Sequence, residues 1–390
     1  MSAIGSPDRA HACVPLLRGV PLKELALAFL RLGTTAFGGP TAHIAMMEEE
    51  FVRRRQWLTP DEFLDLVGLA GLVPGPSSTE VAILVGYRRA GWRGLLLAGT
   101  CFILPAAIIV TSLAWMYVHL GRLPAAGGVL MGIKPVIVAV VAQALVAFGR
   151  TAIKTKGLLA IGLLAAGADL LDAPPLGILV AAGVLSLLRR VAQRSEAPRM
   201  LLGPVALAAP AMLASPPGLA KLFFVFLKIG AVVFGSGYVL LAFLRADLVE
   251  HPHWLDESQL IDAVAVGQFT PGPVFTTATF IGYLLAGIPG AAVATAGVFL
   301  PSFVLVALSG PFIPRIRRSP AASAVLEGVV VASFALMAVV AVRLARAAVV
   351  DVPTLFEAVV SALVLFRWRV NSAWLVLAGG VTGAIVYALR

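Results

Sequence analysis

Pro74-Gly75-Pro76-Ser77-Ser78-Thr79-Glu80 and Pro271-Gly272-Pro273-Val274-Phe275-Thr276-Thr277 are one stretch written twice, 197 residues apart. At the same spacing Phe37-Gly38 returns as Phe234-Gly235, and Trp57 as Trp254. After a one-residue slip the register holds at 196: Gly86-Tyr87 becomes Gly282-Tyr283, Gly94 becomes Gly290 and Pro105 becomes Pro301. The spacing is half of a 390-residue chain. An apolar chain built from two copies of one unit is the sequence sign of a transporter with an internal pseudo-symmetry axis.

The composition fits a bilayer. Apolar residues make up 59% and charged residues 13%, with a mean hydropathy of +0.95, where soluble domains are about a quarter charged. Apolar runs at 95–115, 127–148 and 288–308 approach or reach the ~20 residues that a helix needs to cross a bilayer. Alternating ten-residue strands are absent, which argues against a barrel and for a helical bundle. The expected fold is an all-α integral membrane protein of two inverted-topology repeats with broken or re-entrant helices, about 9–13 membrane segments in all. The net charge of +10 does not indicate nucleic acid, because the basic residues sit in short clusters between apolar runs, as the positive-inside rule predicts. The first twenty residues lack the apolar core of a signal peptide. Cys13 and Cys101 form no disulfide framework or metal pattern. No P-loop or catalytic triad signature is present, which argues against direct ATP coupling and against an enzyme.

The chain divides into a tail (1–20), a first repeat (21–188), a basic linker with an extra membrane segment near 201–213 (189–217), and a second repeat (218–390). Residues 61–87 lie between the basic clusters Arg53-Arg54-Arg55 and Arg88-Arg89 with Arg93. If both clusters share a face, this segment enters and leaves on that face, with Pro74-Gly75-Pro76 at the tip of a re-entrant hairpin. A single kinked span is the competing reading. Residues 22–53 follow the same logic, with the break at Gly38-Gly39-Pro40. Ordinary spans are expected at 94–117, 127–149, 156–171 and 175–188. The extra segment before the second copy turns that copy over. The charges agree, since the loop matching Arg53-Arg54-Arg55 reads Glu250-His251-Pro252 with Asp247, Asp256 and Glu257 nearby, and uncharged Leu284-Leu285 stands where the first copy has Arg88-Arg89. Arg343 and Arg346 run against this bias, because they fall near the outer face.

Three constellations could carry chemistry. The paired breaks start half-helices whose first N–H groups are unpaired and face the positive dipole end, an anion-binding arrangement. Gly38, Gly39, Gly75, Gly235 and Gly272 supply the breaks, and Ser77, Ser78, Thr79, Thr276 and Thr277 add hydroxyls. The plainer reading is close helix packing. Arg31 and Lys228 are matched cations inside apolar arms, expected either to face an anion or to pair with an acid of the same bundle. Glu80 is the candidate for proton coupling, against a salt bridge to one of those cations. Asp65 and Asp262, like Glu50 and Asp247, are matched acids; the first pair is expected to cap or pair near interfaces. Lys134 is an unmatched intramembrane cation, and Gln268 a polar contact near the second break. His251-Pro252-His253-Trp254 reads as an interfacial loop rather than a metal site, and Trp57 and Trp254 as interfacial anchors.

FGGPTAHIAMMEEEFVRRRQWL (37–58) and GLVPGPSSTEVAILVGYRRAGWRG (71–94), followed by the second FGSG and QFTPGP, resemble the chromate ion transporter family in its long, two-domain form. The resemblance covers residues 20–390. It implies an inner-membrane protein of bacteria that expels chromate and confers chromate resistance, driven by membrane energy. It implies sulfate as a competitor or counter-substrate, with no cofactor. Oligomeric state is left open, a homodimer included. The residues alone point to an anion; the resemblance supplies chromate. Gly39-Pro40 becomes Ser236-Gly237 and Ser77-Ser78 becomes Val274-Phe275, so the copies are expected to contribute unequally. The alternatives are a transporter of another oxyanion such as sulfate, and a non-transporting membrane scaffold.

Overall fold

The computed structural model describes residues 20–120, 124–193, 218–233, 239–250, 253–368, 370 and 372–388. The tail before Val20, the stretch 201–213 and Phe234-Gly235-Ser236-Gly237 lie outside the described residues, as does His251. The first repeat contains α1 (Leu22–Thr35), α2 (Gly39–Glu48, continued by a π-helical turn Glu49–Arg54), α3 (Pro60–Ala70), α4 (Ser77–Leu120), α5 (Pro124–Ala152), α6 (Lys156–Leu170) and α7 (Pro175–Gln193). The second contains α8 (Leu219–Val232), α9 (Leu240–Leu244, continued by a π-helical turn Arg245–Glu250), α10 (Glu257–Phe269), α11 (Thr277–Arg318), α12 (Pro320–Ala348), α13 (Val352–Trp368) and α14 (Ser372–Ala388). There are no strands among the described residues.

The local chemistry repeats with the sequence. Thr59 and Glu62 close a capping box on α3, and Asp256 and Gln259, their matches at 197, close one on α10. α4 leaves helical geometry at Ala90 and Gly91, and α11 does so at the matched Ala286 and Gly287. A side chain at Gly86 would strike the Gly94 carbonyl and Ala98, and one at Gly282 would strike the Gly290 carbonyl and Ala294. Residues eight apart on a straight helix are about 12 Å apart along its axis. Each of these helices is therefore a tight hairpin, its arms pressed together at glycine.

Both breaks of the first repeat are tips of re-entrant hairpins. Glu24, at the start of α1, meets Arg55, just after the π-helical turn, at 2.8 Å. Glu62 at the start of α3 meets Arg88 at the end of the first arm of α4 at 2.9 Å, and Arg89 donates to the Trp57 carbonyl at 2.8 Å. Each segment thus enters and leaves on one face, which decides against the kinked span. α3 has 11 residues, about 16 Å of helix, half the depth of a bilayer.

The second arm of α4 starts from that face and climbs 25 residues to Tyr117, a rise of about 38 Å. There Tyr117 donates to Asp262 Oδ2, midway along α10, at 2.9 Å. The hairpin mouths of the two repeats therefore lie at opposite ends of the bundle, so the repeats are inverted. The basic mouth belongs to the first repeat and the acidic mouth to the second, in keeping with the positive-inside rule. Arg343, which ran against this bias, is neutralised at the acidic end by Glu250 at 2.7 Å and Asp172 at 3.8 Å. Trp57 is buried, 8% exposed, stacked on Phe51 beneath the Arg55 guanidinium. It braces the hairpin mouth rather than anchoring an interface.

The long helices exchange partners. α5 of the first repeat packs on α13 and α14 of the second, and α12 of the second packs on α6 and α7 of the first. Matched glycines allow it: Gly132 lies against Gly379 and Gly383, and Gly328 against Ala182 and Ser186. With no water to exclude inside lipid, this close packing is what holds helices together. Five described helices are long and apolar enough to cross a membrane, with α14 a shorter apolar helix.

Candidate functional site

The two Pro-Gly-Pro breaks meet the ends of α1 and α8 in the middle of the bundle through a reciprocal pair of backbone bonds. The N–H of Gly75 donates to the Val233 carbonyl at 2.7 Å, and the N–H of Gly272 to the Ala36 carbonyl at 2.9 Å. Ala36 and Val233 are matched C-caps, of α1 and α8. Each second break therefore completes the end of the other repeat's first helix, the self-complementary contact that a two-fold relation produces. Gly75 holds φ +136° and Gly272 φ +93°, a left-handed conformation that glycine adopts without strain. A side chain at 75 would also run into Ser302 Oγ and Glu80 Oε1, and one at 272 into Ala106.

The two halves of the centre differ chemically. In the first, Ser78 is buried with its Oγ 3.3 Å from His43 Nδ1, on the helix that follows the first break. His43 thereby ties the first break to the second. Thr79 and Glu80 are fully buried, and Thr79 Oγ1, both Glu80 carboxyl oxygens and Ser302 Oγ have no hydrogen-bond partner among the described residues. Buried polar groups are rarely left so, and a cluster of them marks a place where an ion, a proton or water acts. In the second half, Thr276 and Thr277 donate to the Pro273 and Val274 carbonyls, both at 2.8 Å. Their hydroxyl protons are committed locally, and residues 271–280 are all buried.

The first break opens instead onto a cavity of about 890 Å³ whose lining includes Phe37, Gly38, Thr41, Gln143, Thr151 and Ser372. Thr151 is near the inner end of α5 and Ser372 begins α14, so the cavity runs from mid-depth toward the basic face. Gly38 caps α2 at φ +102°, and no side chain occupies the N-terminal N–H groups there. Gly39 is buried directly behind it and Ser77 is half-buried at the start of α4.

The matched cations stand elsewhere. Lys228 Nζ bonds Asp247 Oδ1 at 2.6 Å, with 43% of its side chain exposed. Arg31 is exposed on α1, within electrostatic reach of Glu50, the match of Asp247. Lys228 thus braces a hairpin arm of the second repeat, whereas the matched Glu50 is bridged by Arg54 and Arg55. Glu80, for its part, meets neither cation. Asp65 is exposed on α3, while Asp262 is buried against Tyr117 and Lys134. Gln268 is buried at the end of α10. Gly235 lies outside the described residues.

His43 and Ser302 escaped the sequence reading. Each breaks the repeat: their matches are Leu240 and Ala106. A polar residue facing an apolar match inside an apolar segment is the signal that could have found them.

The comparisons with known proteins agree with this arrangement. The model of the chromate transporter family matches twice, at residues 23–187 and 220–384, a displacement equal to the repeat. The chromate transport protein of Cupriavidus metallidurans is 33% identical over 94% of this chain and 94% of its own length. The probable chromate transport protein of Synechococcus elongatus is 33% identical over 80% of this chain and 81% of its own. The chromate transport protein of Pseudomonas aeruginosa is 29% identical, covering 97% and 95%. No solved structure matches. The chain is a multi-pass membrane protein and belongs to the chromate transporter family.

Proposed function

We propose that this protein is a secondary transporter that exports chromate across the inner membrane and so confers chromate resistance. The observation that carries the reading is the reciprocal joining of Gly75 to Val233 and of Gly272 to Ala36. It places two sets of broken helices, from oppositely oriented repeats, around one point at mid-depth, where a site can be offered to either face as the repeats rock. The chromate named in the relatives' descriptions is a tetrahedral dianion, and the N-terminus of α2 at Gly38, with Gly39, Ser77 and Ser78 beside it, suits such a ligand. The committed hydroxyls of Thr276 and Thr277 assign the second half to support rather than donation. The salt bridge to Asp247 gives Lys228 a bracing role. Since one chain supplies both repeats, the site needs no second copy.

Glu80 carries the coupling proton in this reading. It faces the other repeat through Ser302 and has no cation to neutralise it among the described residues, so a change in its protonation alters the contact between repeats. Sulfate, alike in shape and charge, competes or exchanges. Radiolabelled chromate uptake into everted membrane vesicles tests all of this. Uptake should exceed that of vesicles lacking the protein, fall with an uncoupler, and respond to sulfate on either side. Uptake equal to the empty-membrane control contradicts the transport reading; uptake indifferent to the uncoupler contradicts proton coupling.

A further inference from the structure

We propose that Lys134 is a second anion-contacting residue, an ammonium that leaves Asp262 for the translocating oxyanion in the outer half of the protein. This rests on the oxyanion-transport reading and adds to it a residue and a step between the central breaks and the acidic face.

Lys134 lies ten residues into α5 from its outer end at Pro124, about 15 Å of helix. Its Nζ donates to Ser258 Oγ at 2.6 Å and stands 3.3 Å from Asp262 Oδ1. Asp262 Oδ2 is taken by the Tyr117 hydroxyl at 2.9 Å, whereas Oδ1 is buried without a hydrogen bond. The ammonium is thus attracted to the carboxylate but bonded to the serine. A buried ion pair is retained when its geometry is tight and its remaining lone pairs are filled; here Tyr117 fills Oδ2, but the ammonium stands 3.3 Å from Oδ1 and closer to Ser258. The two ends differ in access, with 20% of the Lys134 side chain exposed against 4% for Asp262. An incoming dianion brings two charges and several acceptor oxygens to an ammonium that Asp262 holds with one charge at 3.3 Å.

The backbone beside it is built to yield. Pro135 follows Lys134 inside α5, and a proline in a helix interior leaves the carbonyl four residues earlier without its helical partner, so helices bend there. The outer part of α5 is meanwhile fixed by Gly132 against Gly379 and Gly383. The device occurs in one repeat. At matched positions Lys134 faces Val330, Tyr117 faces Ile313 and Ser258 faces Asp61, so it serves one face. By contrast Lys228 is tied to Asp247 by a 2.6 Å bond.

A static structural pair makes a different prediction, and paired neutralisation separates the two. Lys134→Met, Asp262→Asn and the double variant are compared with wild type in everted vesicles at matched membrane levels. Replacing both partners removes the unpaired buried charge that a single change leaves, so the double variant is expected to fold. It should melt like wild type in detergent and yet lose at least about tenfold in kcat/KM for chromate, the effect of about 1.4 kcal/mol. A double variant that folds and transports with wild-type KM and rate overturns the proposal. Should it fail to fold, Lys134→Cys in a Cys13→Ser/Cys101→Ala background supplies the test. Modification with a 2-aminoethyl thiosulfonate, which restores the ammonium, should recover transport where a neutral methyl reagent does not; equal recovery by both overturns the proposal. Wild-type protein that moves no oxyanion would remove the transport reading, and the proposal with it.

Discussion

The amide of Gly75 donates to the carbonyl of Val233, 2.7 Å away in the other repeat. The bond fills the last acceptor of a helix that stops at mid-depth, where no water is at hand to fill it. Its counterpart from Gly272 to Ala36 does the same for the first repeat. Neither broken helix is complete without the other copy. The repeats therefore cannot separate at this point without orphaning both carbonyls, and any rocking motion must pivot about it.

Gly75→Ala is the sharpest probe of that pivot. The left-handed φ costs a side chain about 1–3 kcal/mol, and the new methyl meets Ser302 Oγ and Glu80 Oε1. The variant should melt below wild type in detergent, and Ser302→Ala, by removing one of the two obstructing atoms, should restore part of the difference. A Gly75→Ala protein that melts with wild type would contradict the packing described.

Glu80→Gln keeps the shape of a fully buried side chain that has no salt-bridge partner to lose. It should fold at wild-type levels. Its chromate transport should lose the dependence on pH and on the proton gradient. Transport by the glutamine variant that follows pH as wild type does would remove Glu80 from coupling.

Lys228→Met should cost less than about 1 kcal/mol, since its partnership with Asp247 is part-exposed. Chromate KM should stay within about twofold of wild type, a change of ~0.4 kcal/mol. A larger rise in KM at normal membrane levels would return Lys228 to the anion.

Glu62 ties the mouth of a hairpin together. Its carboxyl accepts the Thr59 backbone N–H at 2.9 Å and a bond from Arg88 at 2.9 Å, and these, the backbone bond first, hold it below its ordinary value. A depressed acid contributes stability that is full above its unfolded value, about 4.3, and is lost as pH falls through the folded one. Glu62→Gln should therefore destabilise the protein at neutral pH and narrow the gap to wild type on acidification. Melting temperatures across pH check this. A gap that does not change with pH would contradict it.

The architecture was readable because backbone constraints write themselves into sequence. Glycine and proline breaks and the bias of the loop charges recur at fixed spacing, and each has one physical cause. The hairpin turn at Ala90-Gly91 was less visible, since the matched Gly86 and Gly94 serve a straight helix interface equally well until the arms are seen to touch. Side-chain partnerships were the least legible. Whether Lys228 faces an anion or Asp247, and whether the Thr277 hydroxyl is free or turned onto Val274, depends on rotamers and a few ångströms, which spacing does not encode. The informative signal at the centre lay in departures from the repeat, His43 against Leu240 and Ser302 against Ala106, rather than in its matches.

Counterflow in proteoliposomes made from the purified protein tests the central claim most directly. Vesicles loaded with unlabelled chromate and diluted into tracer chromate should accumulate label transiently, sulfate inside should substitute in part, and Gly75→Ala should abolish the overshoot. Label that never exceeds the level in protein-free liposomes would contradict the account.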